Sequence, residues 1–108
     1  MMQQIRPEQL ARWLRPGEAQ APVVLDVREA WETQICSLPG SVHIPMQQIP
    51  ARLGEIDPQR PVVCLCHHGM RSLQVAAFLA RNGIGEVYNL AGGIDAWARE
   101  VDPSCATY

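Results

Sequence analysis

Lysine is absent from this 108-residue sequence, in which all nine basic residues are arginine. The base composition of a genome explains such a bias as readily as function does, so the absence by itself indicates no activity. Acidic residues number eleven, and the formal net charge is −2. Because nucleic acids and anionic membranes attract proteins with a surplus of positive charge, the sequence predicts neither kind of partner.

Long apolar segments are missing as well. No run approaches the ~20 apolar residues that a membrane-spanning helix needs, and residues 1–7 contain no apolar signal-peptide core before Pro7. We therefore expect a cytoplasmic protein without a membrane partner. In a reducing compartment the four cysteines indicate chemistry or burial rather than a disulfide framework. They are Cys36, Cys64, Cys66 and Cys105.

Internal repeats, low-complexity segments and runs of charge are also lacking, and the length leaves no room for a second domain. We expect one domain over residues 1–108, with a core at about 5–100 and an irregular C-terminal tail at 101–108. A hydrophobic content of 47% is sufficient for a core without disulfides or structural metal.

Short apolar runs alternate with helical patterns along the chain. Continuous apolar runs bounded by glycine and proline predict buried strands, and apolar residues at helical spacing predict helices. The predicted strands are 23–27, 42–44, 62–66 and 87–90, and the predicted helices are 7–14, 72–81 and 94–100. This alternation predicts an α/β fold, in which a small parallel sheet is flanked by helices on both faces.

One loop of the predicted fold joins a thiol to the start of a helix. Cys66 ends the predicted strand 62–66, and the helix begins at Ser72. The loop between them consists of His67, His68, Gly69, Met70 and Arg71. Because a cysteine is nucleophilic only as the thiolate, positive potential near Cys66 favours reactivity. The helix N-terminus, the permanent charge of Arg71 and backbone N–H groups that converge around Gly69 would supply that potential.

Each of these residues has a structural explanation when it is taken alone. A cysteine at the end of a buried strand is by default a small core residue, and Arg71 or the two histidines could lie in a solvated turn. The joint spacing is more specific, because glycine, arginine and serine follow Cys66 by three, five and six residues. We therefore interpret Cys66 as a nucleophile and residues 67–72 as its anion-binding loop.

Residues 66–72, CHHGMRS, resemble the active-site loop of the rhodanese-like domain family, whose pattern is Cys-x-x-Gly-x-Arg-Ser. Three further segments are similar to motifs of the same family in the same order. They are LDVRE at 25–29, LPGSVHIP at 38–45 and VYNLAGGIDAW at 87–97. His43 stands where asparagine is frequent in the family. The similarity extends over about residues 5–100 and implies the rhodanese-like fold.

The resemblance implies a thiosulfate sulfurtransferase that works by a ping-pong route. Cys66 would attack a donor such as thiosulfate, carry the outer sulfur as a persulfide, and pass it to cyanide or a thiol. Backbone N–H groups of residues 67–72, with Arg71, would stabilise the persulfide and the leaving sulfite. Asp26 and Arg28 would brace the floor of the site as scaffold. No metal ion or organic cofactor is implied.

Two other chemistries fit the spacing less well. Phosphatases of this fold separate their cysteine and arginine by five residues, whereas four residues separate Cys66 from Arg71 and six separate Cys64 from it. A zinc site built from Cys64, Cys66, His67 and His68 would lack both the Cys-x₂₋₄-Cys spacing and a second ligand pair. We expect neither activity.

Several questions stay open at this point. A non-catalytic module of this family typically lacks the loop cysteine, which is present here, but a relay domain that delivers sulfur to a protein partner would carry the same motif. Cys36, expected in a loop, and Cys105, in the tail, could reach Cys66 to resolve a persulfide, although ordinary thiols are the simpler interpretation. The pattern does not indicate an oligomeric state, a pathway, or the physiological donor and acceptor.

Overall fold

Within residues 2–17 and 20–108, which a computed structural model of the chain describes, five parallel strands form one sheet. The strands are β1 (Met2–Ile5), β2 (Val23–Asp26), β3 (Val42–His43), β4 (Val62–Leu65) and β5 (Val87–Leu90). Their spatial order is β1-β5-β4-β2-β3. β4 therefore lies at the centre of the sheet, between β2 and β5, and its carboxyl end opens into the loop that contains Cys66.

Helices connect the strands. They are α1 (Pro7–Trp13), α2 (Ala30–Ile35), α3 (Ile49–Arg52), α4 (Met70–Arg81) and α5 (Gly93–Glu100), and short 3-10 turns at Met46–Gln48 and Leu53–Glu55 flank α3. In the part of the chain that the structure describes, none of these helices has the length and apolar character needed to cross a bilayer.

Alternate side chains of β4 enter two separate cores. Val62 and Cys64 pack into a cluster with apolar residues of α4 on one face of the sheet. Val63 and Leu65 pack with α1 and α5 on the other face. All four side chains are fully buried. The prediction of a parallel sheet with helices on both faces is therefore confirmed.

The structure also contains elements that the apolar pattern does not predict. β1 lies at the edge of the sheet, where Gln3 and Gln4 are exposed, so it lacks the apolar run of a buried strand. α2 occupies residues 30–35, to which the apolar pattern assigns no helix, and Cys36 lies directly after it. Cys66 was expected to end its strand but follows it by one residue, and α4 begins at Met70 rather than at residue 72.

Cys36 and Cys105 form a disulfide, with Cα atoms 5.7 Å apart and a sequence separation of 69. The prediction that these were unpaired thiols is therefore wrong. Cys36 follows α2 and Cys105 lies after α5, and no local sequence pattern indicates that these two segments meet. Disulfides are typical of oxidising compartments. The four cysteines therefore do not support the expectation of a cytoplasmic protein. Cys64 and Cys66 are free and buried.

Candidate active site

Cys66 lies at the carboxyl end of the central strand, with 1% of its surface exposed. Its Sγ atom accepts hydrogen bonds from the backbone N–H groups of Gly69, at 3.1 Å, and Ser72, at 3.3 Å. Both donors belong to the first turns around the N-terminus of α4, where backbone N–H groups lack helical partners. Their convergence on one sulfur atom favours negative charge at that atom.

The backbone of Gly69 makes this convergence possible. Its φ of +100° places it in the left-handed region, and it is the residue that precedes α4. A Cβ atom at this position would lie 3.2 Å from the carbonyl oxygen of Leu90 and from the amide nitrogen of Gly92. Glycine thus lets the loop turn back toward Cys66 while packing closely against the end of β5.

The N-terminus of α5 holds the other side of the loop. The N–H of Ile94 donates to the carbonyl of Cys66 at 2.9 Å, and the N–H of Asp95 donates to the carbonyl of His67 at 3.1 Å. Gly93 lies directly beneath these carbonyls, and a Cβ atom there would collide with both of them. Two helix N-termini therefore fix the loop, one through the sulfur and one through the carbonyl groups.

Asn89 on β5 is a buried polar residue that sequence reasoning missed. Its Nδ2 donates to the carbonyl of Gly69 at 3.1 Å and to Oε1 of Gln4 at 2.8 Å. The Ser72 hydroxyl lies 2.5 Å from Oδ1 of Asn89 and 3.2 Å from Sγ of Cys66. Because a hydroxyl has one hydrogen, it donates to one of these acceptors at a time. A polar residue within an apolar strand was the available signal for this role.

Arg71 forms a two-point ion pair with Glu32 on α2. Its Nη1 and Nη2 atoms lie 2.7 and 2.8 Å from the two carboxylate oxygens. Glu32 is only 3% exposed. The hydrogen bonds from Arg71 outweigh the opposing effect of burial and lower the pKa of Glu32 to about 2. The guanidinium charge is thus balanced by Glu32, a partner that the sequence did not indicate for the permanent charge of Arg71. Glu32 was missed because it lies 39 residues before Arg71.

Asp26 and Arg28 are fully buried and form a second ion pair, with Nη2 of Arg28 at 2.7 Å from Oδ2 of Asp26. Arg28 also donates to the carbonyl groups of Glu32, at 3.3 Å, and Cys36, at 2.7 Å. Its Nη1 donates to the Tyr108 hydroxyl at 3.0 Å. Its side-chain hydrogen bonds within the described residues thus reach α2 and the segment after α5, not residues 66–72.

The two histidines of the loop differ in environment. The His67 ring stacks on Tyr108, with centroids 3.8 Å apart and planes within 6°, while His68 is exposed. Burial first, and the neighbouring His68 second, lower the pKa of His67, so its imidazole favours the neutral form. The contact with Tyr108 was not predicted, because the tail was expected to be irregular and its packing has no local sequence signal.

His67, His68 and Asp95 bring potential ligand atoms within 4.8 Å of one another. The two rings lie nearly face to face, with centroids 3.8 Å apart and planes tilted by 31°. Because the lone pair of an imidazole lies in the plane of its ring, the nitrogen atoms of these rings do not point to a common centre. Oδ2 of Asp95 is also bound by Arg99 at 2.8 Å. We therefore assign no metal ion to this cluster.

Comparisons with known proteins agree on one family. A family model described as rhodanese-like domain matches residues 6–100. A sulfurtransferase from Allochromatium vinosum is 38% identical over 106 residues, which span 98% of this chain and 97% of that protein. The thiosulfate sulfurtransferase GlpE from Pseudomonas savastanoi pv. phaseolicola is 38% identical over 93 residues, or 86% of this chain and 84% of that protein.

A solved structure gives the same result for the fold. A rhodanese-like domain protein from Staphylococcus aureus is similar with a TM-score of 0.83 at 32% sequence identity. The match covers 93% of this chain and 95% of the Staphylococcus aureus chain.

Proposed function

The chain belongs to the rhodanese-like domain family, and we propose that it transfers sulfane sulfur from thiosulfate or a similar donor through a persulfide on Cys66. The observation that supports this role is the environment of the Cys66 sulfur. A free, buried thiol at the end of the central strand accepts hydrogen bonds from two backbone N–H groups at the start of a helix. Such donors stabilise a thiolate and the terminal charge of a persulfide.

The proposed transfer proceeds in two half-reactions. The Cys66 thiolate attacks the outer sulfur of thiosulfate, a new S–S bond forms, and the S–S bond of the donor breaks with its electron pair leaving on sulfite. An acceptor such as cyanide or a thiolate then attacks the outer sulfur of the persulfide. The Cys66–sulfur bond breaks, its electron pair returns to Sγ, and the thiolate is regenerated. No external oxidant or reductant is required.

Arg71 is proposed to guide the donor rather than to activate the sulfur. Glu32 uses one N–H on each terminal nitrogen of the guanidinium, which leaves three of its five N–H donors for other acceptors. Because Glu32 fixes the plane of the guanidinium, the remaining donors keep one orientation toward a bound anion.

A second candidate function is a persulfide relay to a protein partner. It is supported by exposed apolar side chains in the loop and on α2. Met70, the residue after Gly69, is 70% exposed, and Trp31 is 61% exposed and lies 6.0 Å from the Tyr108 ring. Apolar residues grouped at the surface often mark protein-binding sites. Faster transfer from the persulfide to a protein thiol than to cyanide would favour the relay.

The test compares the two free cysteines. We expect Cys66→Ser to abolish both the turnover of thiosulfate and the gain of one sulfur atom that mass spectrometry detects on the intact protein. Cys64→Ser is the matched control. Cys64 lies on the same face of the sheet, but burial, with a smaller effect of the nearby Cys66, raises its pKa to about 12. It should therefore stay a thiol, and its replacement should preserve both readouts.

Peptide mapping should find the additional sulfur on Cys66. A persulfide on Cys64, or turnover of thiosulfate by the Cys66→Ser protein, would contradict the proposal.

A further inference from the structure

We propose that Tyr108 is a positioning residue of the active site, which holds Glu32, and through it Arg71, in the orientation that captures the sulfur donor. The Cys36–Cys105 disulfide keeps Tyr108 in place. This role rests on the proposed sulfur transfer at Cys66 and adds to it a residue that lies outside the loop and after the last helix.

The Tyr108 hydroxyl joins the two ion pairs around the site. It accepts a hydrogen bond from Nη1 of Arg28 at 3.0 Å and lies 2.7 Å from Oε1 of Glu32. Since a guanidinium only donates and a carboxylate only accepts, the hydroxyl hydrogen must point to Glu32. Burial has the largest effect and raises the pKa of Tyr108 to about 12, while the smaller effects of Arg28 and Glu32 oppose each other. The hydroxyl therefore keeps this hydrogen at neutral pH.

The same carboxylate oxygen accepts from Arg71. Nη2 of Arg71 lies 2.8 Å from Oε1 of Glu32, so Tyr108 and Arg71 share one acceptor atom. Donation from Tyr108 restrains the rotation of the carboxylate, and a fixed carboxylate fixes the plane of the guanidinium. Arg71 follows Gly69 by two residues, and the chain of contacts therefore ends at the loop that surrounds Cys66.

The Tyr108 ring is held from two sides. It stacks on His67 at 3.8 Å between ring centroids, and Trp31 of α2 packs edge to face against it at 6.0 Å. Both contacts place the ring between α2 and the loop. A phenylalanine at this position would keep these aromatic contacts and lose only the hydroxyl.

The disulfide explains how a segment without helix or strand keeps this position. Cys105 precedes Tyr108 by three residues, so the Cα atom of Tyr108 cannot move farther than about 10 Å from that of Cys105. The disulfide thus acts as a tether for Tyr108. The other half of the disulfide, Cys36, directly follows α2, and its carbonyl accepts from Nη2 of Arg28 at 2.7 Å. The tether thus ties the segment to the element that carries Glu32, and raises the local concentration of Tyr108 there.

A positioning role through Arg71 should affect one half-reaction only. Arg71 is proposed to guide thiosulfate, so loss of the Tyr108 hydroxyl should impair loading of Cys66 and spare the attack of cyanide on the persulfide. In ping-pong kinetics, kcat/KM for each substrate reports its own half-reaction. A general loss of structure would instead lower both values.

The first experiment measures both kcat/KM values for Tyr108→Phe in thiol-free buffer. We expect kcat/KM for thiosulfate to fall about tenfold, the effect of losing one hydrogen bond to a charged group, while kcat/KM for cyanide stays unchanged. Tyr88→Phe is the matched control. Tyr88 is the other of the two tyrosines, and its hydroxyl donates to the exposed Glu86 at 3.1 Å, so neither kcat/KM value should change.

The second experiment tests whether Tyr108 acts through Arg71. Arg71→Ala should itself lower kcat/KM for thiosulfate, Arg71→Lys should recover part of it because an ammonium lacks the planar fork, and Tyr108→Phe should add no further loss to Arg71→Ala. Cys105→Ser should give a smaller loss with the same preference for the thiosulfate half-reaction.

Three results would overturn the role of Tyr108: an unchanged kcat/KM for thiosulfate in Tyr108→Phe, equal losses for thiosulfate and cyanide, or additive losses with Arg71→Ala. If the wild-type protein gains no sulfur on Cys66, the proposed sulfur transfer itself fails, and the role of Tyr108 fails with it.

Discussion

At the scale of single residues, two ion pairs are linked through the Tyr108 hydroxyl, and each pair is electrically balanced. Asp26 pairs with Arg28 in the interior, and Glu32 pairs with Arg71 at the edge of the site. Little net side-chain charge is therefore left to act on the sulfur. The backbone N–H groups that point at Sγ supply the local positive potential instead, and they do so at any pH, because an amide does not titrate.

The Glu32–Arg71 pair should make stability depend on pH. The hydrogen bonds from Arg71, opposed by burial, lower the pKa of Glu32 from 4.5 to about 2. A carboxyl group with a depressed pKa in the folded state stabilises the fold above its unfolded pKa, and this contribution disappears as the pH falls through the folded value. We expect the free energy of unfolding to lose no more than about 3 kcal/mol from this group between pH 5 and pH 2.

Urea denaturation of the wild type and Glu32→Gln over this pH range measures the effect. The stability difference between the two proteins should shrink as the pH falls, because protonation removes the charge that glutamine lacks. Glu55→Gln is the control, since Glu55 and its partner Arg52 are more exposed to solvent. A difference between wild type and Glu32→Gln that stays constant down to pH 2 would show that Glu32 is not held as a carboxylate by Arg71.

At the scale of elements, the loop is held by the N-termini of α4 and α5. At the start of α4, the N–H groups of Ser72 and of the preceding Gly69 point at the sulfur. At the start of α5, the N–H groups of Ile94 and Asp95 point at the loop carbonyls. The second set of contacts needs the two segments to approach closely. Gly93, with a φ of +63°, is the position at which they meet.

Gly93→Ala should therefore disrupt the site from outside the loop. Its Cβ atom would collide with the carbonyl groups of Cys66 and His67, and a left-handed backbone at a non-glycine residue adds strain of about 1–3 kcal/mol. We expect a lower melting temperature and loss of sulfur loading on Cys66. Gly54→Ala is the control, because an added Cβ there has no heavy atom within 4 Å and the backbone is not left-handed. It should change neither the melting temperature nor the sulfur loading. Full activity in Gly93→Ala would contradict this account of the loop.

Apolar patterns in the sequence predict the interior strands of the sheet but not α2. β2, β4 and β5 lie in the interior of the sheet, and their apolar runs follow directly from burial on both faces. α2 has the opposite pattern, because it buries Glu32 and exposes Trp31 and Ile35. Apolar periodicity assigns such a segment to no helix. The burial of Glu32 depends on Arg71, which comes 39 residues later in the chain.

At the scale of the whole molecule, the candidate site has one part that local sequence predicts and one part that only long-range packing creates. Cys66, Gly69, Arg71 and Ser72 lie within seven consecutive residues, so their spacing alone predicts a loop around a thiol. Tyr108 reaches Glu32 across 76 residues and Arg28 across 80. These contacts arise only when the strands are paired and the segment after α5 packs against α2, and no local pattern records that packing.

The disulfide between Cys36 and Cys105 should contribute to the stability of the whole chain. It closes a loop of 69 residues, for which restriction of the unfolded chain corresponds to roughly 4 kcal/mol, with 2–4 kcal/mol typical of measured disulfides. We expect the double variant Cys36→Ser, Cys105→Ser to unfold at a lower urea concentration than the oxidised wild type. A reductant should bring the wild type to the level of the variant and leave the variant unchanged.

Cys64→Ser separates this effect from the loss of a buried thiol. That variant keeps the Cys36–Cys105 pair, so its stability should still fall when a reductant is added. Alkylation of the unfolded, unreduced wild type, followed by mass spectrometry, should label only the two free cysteines, Cys64 and Cys66. Labelling of all four cysteines, or equal stability of the double variant and the oxidised wild type, would contradict a stabilising disulfide. The tether of Tyr108 would then have to be sought in the aromatic contacts with His67 and Trp31.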